Sequence, residues 1–349
     1  MCKHFLHSIR IMLLLLSILL HFSIHMLASA LGIERNVIVR GKEDQPFAIN
    51  AISISHDTGE NEIKSVFVSI VCEHGVIILS RKKGLDLVSN ARGVARQIMG
   101  NGTLHHWNSA LYNMTYFPDE HWNTHRSKLD KVHISIQSTD GLDAEESILY
   151  VEILPVNDAP FWTIPTKNMS VDEDERLFIE SIHLSDHDMF TSEKASSNFF
   201  SVNITVTSGQ IFLLKMDGLS FDGGKPGYGS TLKMRGTLTN LNNALSRLVY
   251  IGNKNFHGHD LIVFCASDEG NEGYGEEMMK TDVLSVMVLA VNDSPTWYIP
   301  HFPISCDEDK LCLVPGIELE DPDVGSKSIE IEVSALYGHI SISGAELPS

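Results

Sequence analysis

VNDAPFW, Val156 to Trp162, returns as VNDSPTW, Val291 to Trp297, 135 positions later. The groups of an active site converge on one substrate and are written once, whereas a joint between modules is written at every joint. Self-comparison at that offset decides between the two readings. WNSALYNMTY, Trp107 to Tyr116, matches LNNALSRLVY, Leu241 to Tyr250, and each follows a GTL triplet, at Gly102 and at Gly236. KEDQPFAI at Lys42, DEDERLFI at Asp172 and DEDKLCLV at Asp307 form a third set. CEHGVIILS, VTSGQIFLLK and ALYGHISIS, with glycines at 75, 209 and 338, form a fourth. Four features in one order predict two full modules and the opening of a third, over residues 31–159, 160–294 and 295–349.

Within a module the apolar period is mostly two. In FSVNITVTSGQIFLL, Val202, Ile204 and Val206 share one side and Asn203, Thr205 and Thr207 the other, the mark of a half-buried strand broken by a turn glycine. SILYVEILPV and VLSVMVLAV read as closing strands, each ending at a joint. One stretch has helical spacing instead: Leu241, Ala244, Leu245 and Leu248, matched by Trp107, Ala110, Leu111 and Met114. The fold class is therefore mainly β, tandem β-sandwich repeats with one short helix each. Tyr116 and Tyr250 read as core or corner tyrosines, and Trp162 and Trp297 as residues packed where modules meet.

The first thirty residues stand apart. Lys3 and Arg10 precede a short apolar run, IMLLLLSILL, and Ala28-Ser29-Ala30 is a small-residue cleavage signature, so residues 1–30 read as a cleaved secretory signal peptide. The apolar run is shorter than the ~20 residues of a spanning helix. Losing Lys3 and Arg10 moves the net charge from -19 to -21, which argues against nucleic acid and anionic membranes as partners and suits cations. Of the remaining cysteines, Cys306 and Cys312 in CDEDKLC can close a local disulfide in an oxidising compartment, while Cys72 and Cys265, in strand-like runs, read as buried thiols. Asn101, Asn113, Asn168 and Asn203 each begin an N-x-S/T glycosylation sequon; Asn292 begins another inside the joint motif.

Acidic residues gather around the joints. Glu173 precedes SDHD, with Asp186 and Asp188, and ASDEG supplies Asp268; the next module offers Glu308 and then EDPD, with Asp321 and Asp323. Asn157, Asp158, Asn292 and Asp293 come from the joint motifs themselves. A D-x-D pair presents two hard oxygens from one loop, which suits calcium. Without a cation such carboxylates repel, by ~1 to 4 kcal/mol per pair at about 4 Å. The competing reading is that Asp and Asn before Pro are turn formers and D-x-D a solvated loop.

VNDAP, D-x-D and A-x-D-x-G resemble the calcium-binding repeats of cadherins, and the whole module, with NNALSRLVY and NFHGHD, is similar to the cadherin-like tandem repeats of large surface adhesins. The likeness covers Leu31 to Ser349. It implies a rod of Ig/cadherin-like sandwiches with calcium held between neighbours. At the first joint the ligands implied are Glu43, Asn157, Asp158, Asp186, Asp188 and Asp268; at the second they are Glu173, Asn292, Asp293, Asp321 and Asp323. The first module has His56 and Thr58 where the second has Asp186 and Asp188, as expected if no module precedes it. The cadherin L-D-R-E motif has no counterpart, and the linker reads NDAP rather than NDNAP, so one or two ions per joint are expected rather than three. The partners implied are other cell-surface or matrix proteins, with homophilic contact among them, and the membrane enters only through an anchor that this chain does not contain. Since a sandwich cannot close with under half its strands, the last module is expected to be the start of a longer one.

An enzyme is the main rival class. His121 and His125 are spaced H-x-x-x-H, and His257-Gly258-His259 follows in the next module, but neither pair is expected on a helix, as zinc at that spacing requires. G-x-S-x-G, a P-loop and a dinucleotide fingerprint are all missing. Asp217 and Asp222, in KMDGLSFDGG, sit in a glycine-rich hairpin context rather than a glycosidase-like one. A glycan- or matrix-binding module without calcium is the third class. It would be favoured by an exposed Tyr228 on the loop FDGGKPGYG.

Overall fold

A computed structural model describes residues 31–342, apart from 36–37, 51, 57–64, 90–92, 127, 140, 142 and 190–191. The leader and its cleavage site, and the position of Thr58, therefore lie outside the described residues. Among them no helix is long and apolar enough to cross a membrane.

The two full modules have the same strand order, position by position. In the first, a six-stranded sheet runs Ile38–Lys42, Ala144–Leu154, Asp130–Ser138, Ser65–Cys72, Gln97–Thr103, Asp86–Ser89. A four-stranded sheet runs Phe47–Ile49, Met114–Pro118, Gly75–Ile78, Val94–Ala95, and a ribbon pairs Leu31–Arg35 with Ile52–His56. In the second, the corresponding orders are Asn168–Asp172, Met279–Leu289, Gly258–Ser267, Phe199–Val206, Thr231–Thr237, Ser220–Phe221 and Arg176–Glu180, Arg247–Gly252, Gly209–Leu213, Tyr228–Gly229. Its ribbon pairs Phe161–Thr163 with His183–Ser185. All ladders are antiparallel except one in each module: the first strand of the large sheet runs parallel to the closing strand. The closing strand leads directly into the joint, so this pairing anchors the joint to its module.

The alternation read from sequence is the alternation of burial. Val202, Ile204 and Val206 are buried in a core with Ile211, Leu241, Leu245, Tyr250, Ile262 and Phe264, while Val66, Val68 and Ile70 do the same with Trp107, Leu111 and Tyr116. The third segment differs. Among its described residues the one pairing is the ribbon Thr296–Tyr298 with Glu318–Glu320, and Trp297, Phe302, Leu311, Leu313 and Tyr337 are exposed. In the second module every other early strand pairs with one written later in the repeat, and this sequence does not contain those later strands. The ribbon is the one pairing that needs only early residues.

The other repeated features have local physical reasons. Thr103 and Thr237 of the GTL triplets are helix N-caps, accepting from His106 N and Asn240 N. The glycines before them leave room for Leu85 and Leu219, whose Cδ2 atoms would lie 2.5 Å from an added Cβ. Gly75 and Gly209 are covered by the rings of Tyr116 and Tyr250, so a Cβ at either would clash. Asn108 and Asn242 each use one side-chain amide to bond both backbone groups of a ribbon residue. Asn108 joins Ile54 N and O, and Asn242 joins Leu184 N and O, all at 2.8 Å.

Three expectations are corrected. The helices, Leu104–Leu111 and Leu238–Leu245, stop before Met114 and Leu248, which begin the next strands' buried rows; in the first module Asn113 at φ +55° ends the turn. The second module also carries an extra short helix, Ser192–Ser197, between the SDHD loop and its first core strand. Trp162 does not sit between modules. It is buried in the second core, its ring 5.5 Å from Phe264 and its Nε1 donating to Lys280 O, because alternation along Phe161–Thr163 points it inward.

Candidate metal centre at the joints

Each joint is built by one glutamate turning back on the chain that follows it. Glu43 continues the first strand of the large sheet; its N–H bonds Leu154 O at 3.0 Å, and its Oε1 accepts Val156 N at 2.6 Å. In the second module Glu173 N bonds Leu289 O at 2.8 Å, and Glu173 Oε1 accepts Val291 N at 2.6 Å. The parallel strand pair thus delivers a buried carboxylate to the first residue of VND at both joints. Asn123 adds a donor to Glu43, with Nδ2 at 3.1 Å from both oxygens.

The following module supplies the other wall. Asp158 N donates to Asp188 Oδ2 at 2.9 Å, and Asp188 N donates to Asp186 Oδ1 at 2.8 Å. Asn157 Nδ2 donates to Asp268 Oδ2 at 2.6 Å and to Glu276 O at 3.0 Å. Asp268 Oδ1 is itself held by Gly270 N and Met278 N, both at 2.8 Å. The six residues expected at the first joint thus fall into three bonded sets along the linker: Glu43 with Val156 N, Asn157 with Asp268, and Asp158 with Asp188 and Asp186. All but Asp158 are buried.

That arrangement is electrostatically costly without a cation. Burial, then the charges of Asp188, Asp268 and Asp158, push the Asp186 carboxyl up to about 7. Burial, with Asp158 and Glu43 adding to it, pushes Asp188 up to about 6. Burial raises Glu43 as well. Asp186 Oδ2 is buried with no hydrogen-bond partner, and so is Glu173 Oε2 at the other joint. A buried carboxylate oxygen without a donor lacks its usual compensation, and oxygens of this kind are what a hard divalent cation takes. The residues fit calcium.

The second joint repeats half of this. Asp293 N donates to Asp323 Oδ2, and Asp323 N to Asp321 Oδ1 at 2.9 Å. Asn292 is exposed and its side chain turns to Asp293 O at 3.1 Å. Sequence reasoning passed over Asp44 and Asn123, and weighed His121 only as half of an H-x-x-x-H pair with His125. Asp44 has a repeated signal, because Asp174 and Asp309 follow the same glutamate, all three at positive φ.

The remaining candidates fall as follows. His125 lies in a short 3₁₀ turn, Thr124–Arg126, and His259 on the strand Gly258–Ser267. Tyr228 is not presented to solvent as a platform: Phe212 packs at 4.5 Å and Lys225 lies 5.0 Å over its ring. Tyr116 and Tyr250 are fully buried and donate to Asp130 and Asp260. Cys306 and Cys312 are joined as a disulfide, and Cys72 and Cys265 are free. Cys265 is half-buried; burial and the Asp130 charge push the buried Cys72 thiol up to about 12. Of the sequon asparagines, Asn113 and Asn168 are exposed, while Asn101 and Asn203 are half-buried on strands.

A family model described as the Protein GAMETE EXPRESSED 2 domain matches residues 188–275, within the second module. No curated protein matches the chain. Among solved structures, human CDH23 EC21-23 is similar at 12% identity and a TM-score of 0.31, over 82% of this chain and 77% of that one. Human mucin-like protocadherin EC1-2 is similar at 11% identity and a TM-score of 0.28, over 76% and 100%. An endo-fucoidan hydrolase of glycoside hydrolase family 107 is similar at 13% identity and a TM-score of 0.21. The match covers 75% of this chain, which spans 29% of the hydrolase's length.

Proposed function

We propose that the chain is a non-catalytic, secreted or cell-surface rod whose joints are stiffened by calcium and whose modules serve adhesion to other surface or matrix proteins, homophilic contact included. The observation that carries this reading is the first joint: five carboxylates and Asn157, contributed by two modules and their linker, are gathered along one stretch of linker, and a buried Asp186 oxygen among them has no donor. Glu43 would hold the ion from the first module, Asn157 and Asp158 from the linker, and Asp186, Asp188 and Asp268 from the second. A bound calcium supplies the positive charge that this cluster lacks, and its affinity is expected near ~0.1 to 1 mM, as for extracellular modules. The residues then do the mechanical work. Glu43 and Asp188 grip the two backbone amides flanking Asn157, so neutralising their charges fixes the angle between sandwiches.

Calcium titration of the chain followed by thermal unfolding and small-angle scattering tests this. Calcium in the millimolar range is expected to raise the melting temperature and to narrow the distribution of lengths, both reversed by chelator. Scattering curves that superimpose with and without calcium, together with an unmoved melting temperature, would exclude it.

A further inference from the structure

The first joint carries a histidine at a position where the second has Asn255; the second joint's own histidine, His257, instead approaches Glu173 Oε2, at 3.9 Å. His121 Nδ1 lies 2.8 Å from Asp158 Oδ2 and 3.4 Å from Asp44 Oδ2, and the three donor atoms lie within 4.8 Å of one another. The backbone aims the ring: His121 sits at φ +52°, and its N–H donates to Asp44 Oδ1 at 2.8 Å. The other ring nitrogen, Nε2, lies 3.7 Å from Glu120 Oε1, beyond hydrogen-bond reach, so Nδ1 is the nitrogen placed among the carboxylates, and a metal there would displace its proton. The ring of His187 stacks on it at 3.8 Å and 15°. A metal binds imidazole in the ring plane, so the stacked ring limits tilt rather than supplying a second ligand.

The second joint is an internal comparison. Asn255 occupies the His121 position at φ +56°, and its N–H donates to Asp174 Oδ1 at 3.0 Å. Its side-chain Oδ1 is buried with no hydrogen-bond partner. One scaffold therefore aims an amide oxygen in one joint and an imidazole nitrogen in the other. Oxygen-only sets suit hard cations, whereas histidine with two carboxylates suits zinc and its first-row neighbours.

We propose that Asp44, His121 and Asp158 form a zinc-type cation site at the first joint, absent from the second, that ties the first module to the linker independently of calcium. It shares only Asp158 with the calcium set. The competing account is a plain ion pair, with a charged His121 between two carboxylates and no metal.

The test is titration of the full chain with zinc in saturating calcium, with cobalt(II) as the spectroscopic probe. One ion per chain is expected, giving visible cobalt bands typical of four-coordination. His121→Asn writes the second joint's residue into the first; it is expected to lose at least about tenfold in zinc affinity and to keep the calcium-induced thermal shift. Asp44→Asn, exposed and outside the calcium set, is expected to show the same loss. Zinc binding that both variants retain at parental strength overturns the proposal, as does failure of the parent to bind zinc. If His121→Asn also disturbs folding, Asp44→Asn decides alone. Zinc binding in a chain that does not respond to calcium would leave this site standing and remove the calcium reading.

Discussion

At the scale of single residues, the chain shows how the same side chain can be unfavourable alone and useful in company. Asp186 is the sharpest instance. Its Oδ1 orders the loop by accepting Asp188 N, while its Oδ2 is buried without a donor. Asp186→Asn keeps the loop bond and removes the charge. In chelator its melting temperature is expected to exceed the parent's by a few degrees, whereas the calcium-induced rise should largely vanish; scanning calorimetry with and without calcium reads both. A variant that is less stable than the parent in chelator would show that the carboxylate is not a source of repulsion. Residues of this kind were legible because they recur: Glu43, Asp188 and Asp158 have counterparts at the second joint. His121 was not, since its counterpart is Asn255 and a repeat search sees only what is repeated. Trp162 was misplaced for the opposite reason. It stands beside a repeated motif, but strand alternation, not proximity to the joint, decides where its ring goes.

At the scale of elements, each helix is less a core filler than a clamp. Asn242 sits on Leu238–Leu245, and its amide completes the hydrogen bonding of Leu184, a fully buried ribbon residue. Asn242→Ala leaves one buried N–H and one buried C=O without partners, at a cost of about 1 to 3 kcal/mol each before relaxation. A loss of ~2 to 4 kcal/mol overall is expected in urea unfolding, and Asn242→Asp should recover about half, since it can still accept but no longer donate. A loss below ~0.5 kcal/mol would mean that water replaces the amide. The sequence showed this element through its apolar stripe, whereas the capping role of the GTL threonine emerged only in the structure. It overran the end because Met114 and Leu248 continue the helical spacing while already belonging to a strand. Both patterns put an apolar side chain inward, so burial alone could not separate them.

At the scale of the whole molecule, the joint should give stability an unusual dependence on pH. Native Asp186 and Asp188 hold protons to about 7 and about 6, against an ordinary aspartate value of 3.8. Between those values the folded chain binds more protons than the unfolded one, so stability falls as pH rises. The contribution is complete below about pH 4 and gone above about pH 7. In chelator the melting temperature is therefore expected to decline from pH 5 to 7, and with calcium, which competes with those protons, the decline should flatten or reverse. A metal-free melting temperature that climbs through this interval would contradict the burial of the two carboxyls. The repeat architecture was readable in advance because the two modules preserve the same order of features. The open state of the third segment was not readable from its residues, which resemble their buried counterparts; exposure there follows from which strands each one needs.

Glu173 meets Val291 118 positions further along, and that separation has a consequence for biosynthesis. A ribosome adds about 5 to 20 residues per second, so roughly 6 to 24 seconds pass between the emergence of a module's leading strand and its companion. Throughout that interval the leading ribbon can form, but the greasy faces behind it have nothing to cover them, much as in the last segment described here. The nascent chain thus repeats a vulnerable pause once per module, and chaperone occupancy during translation should rise and fall with the same period as the repeat.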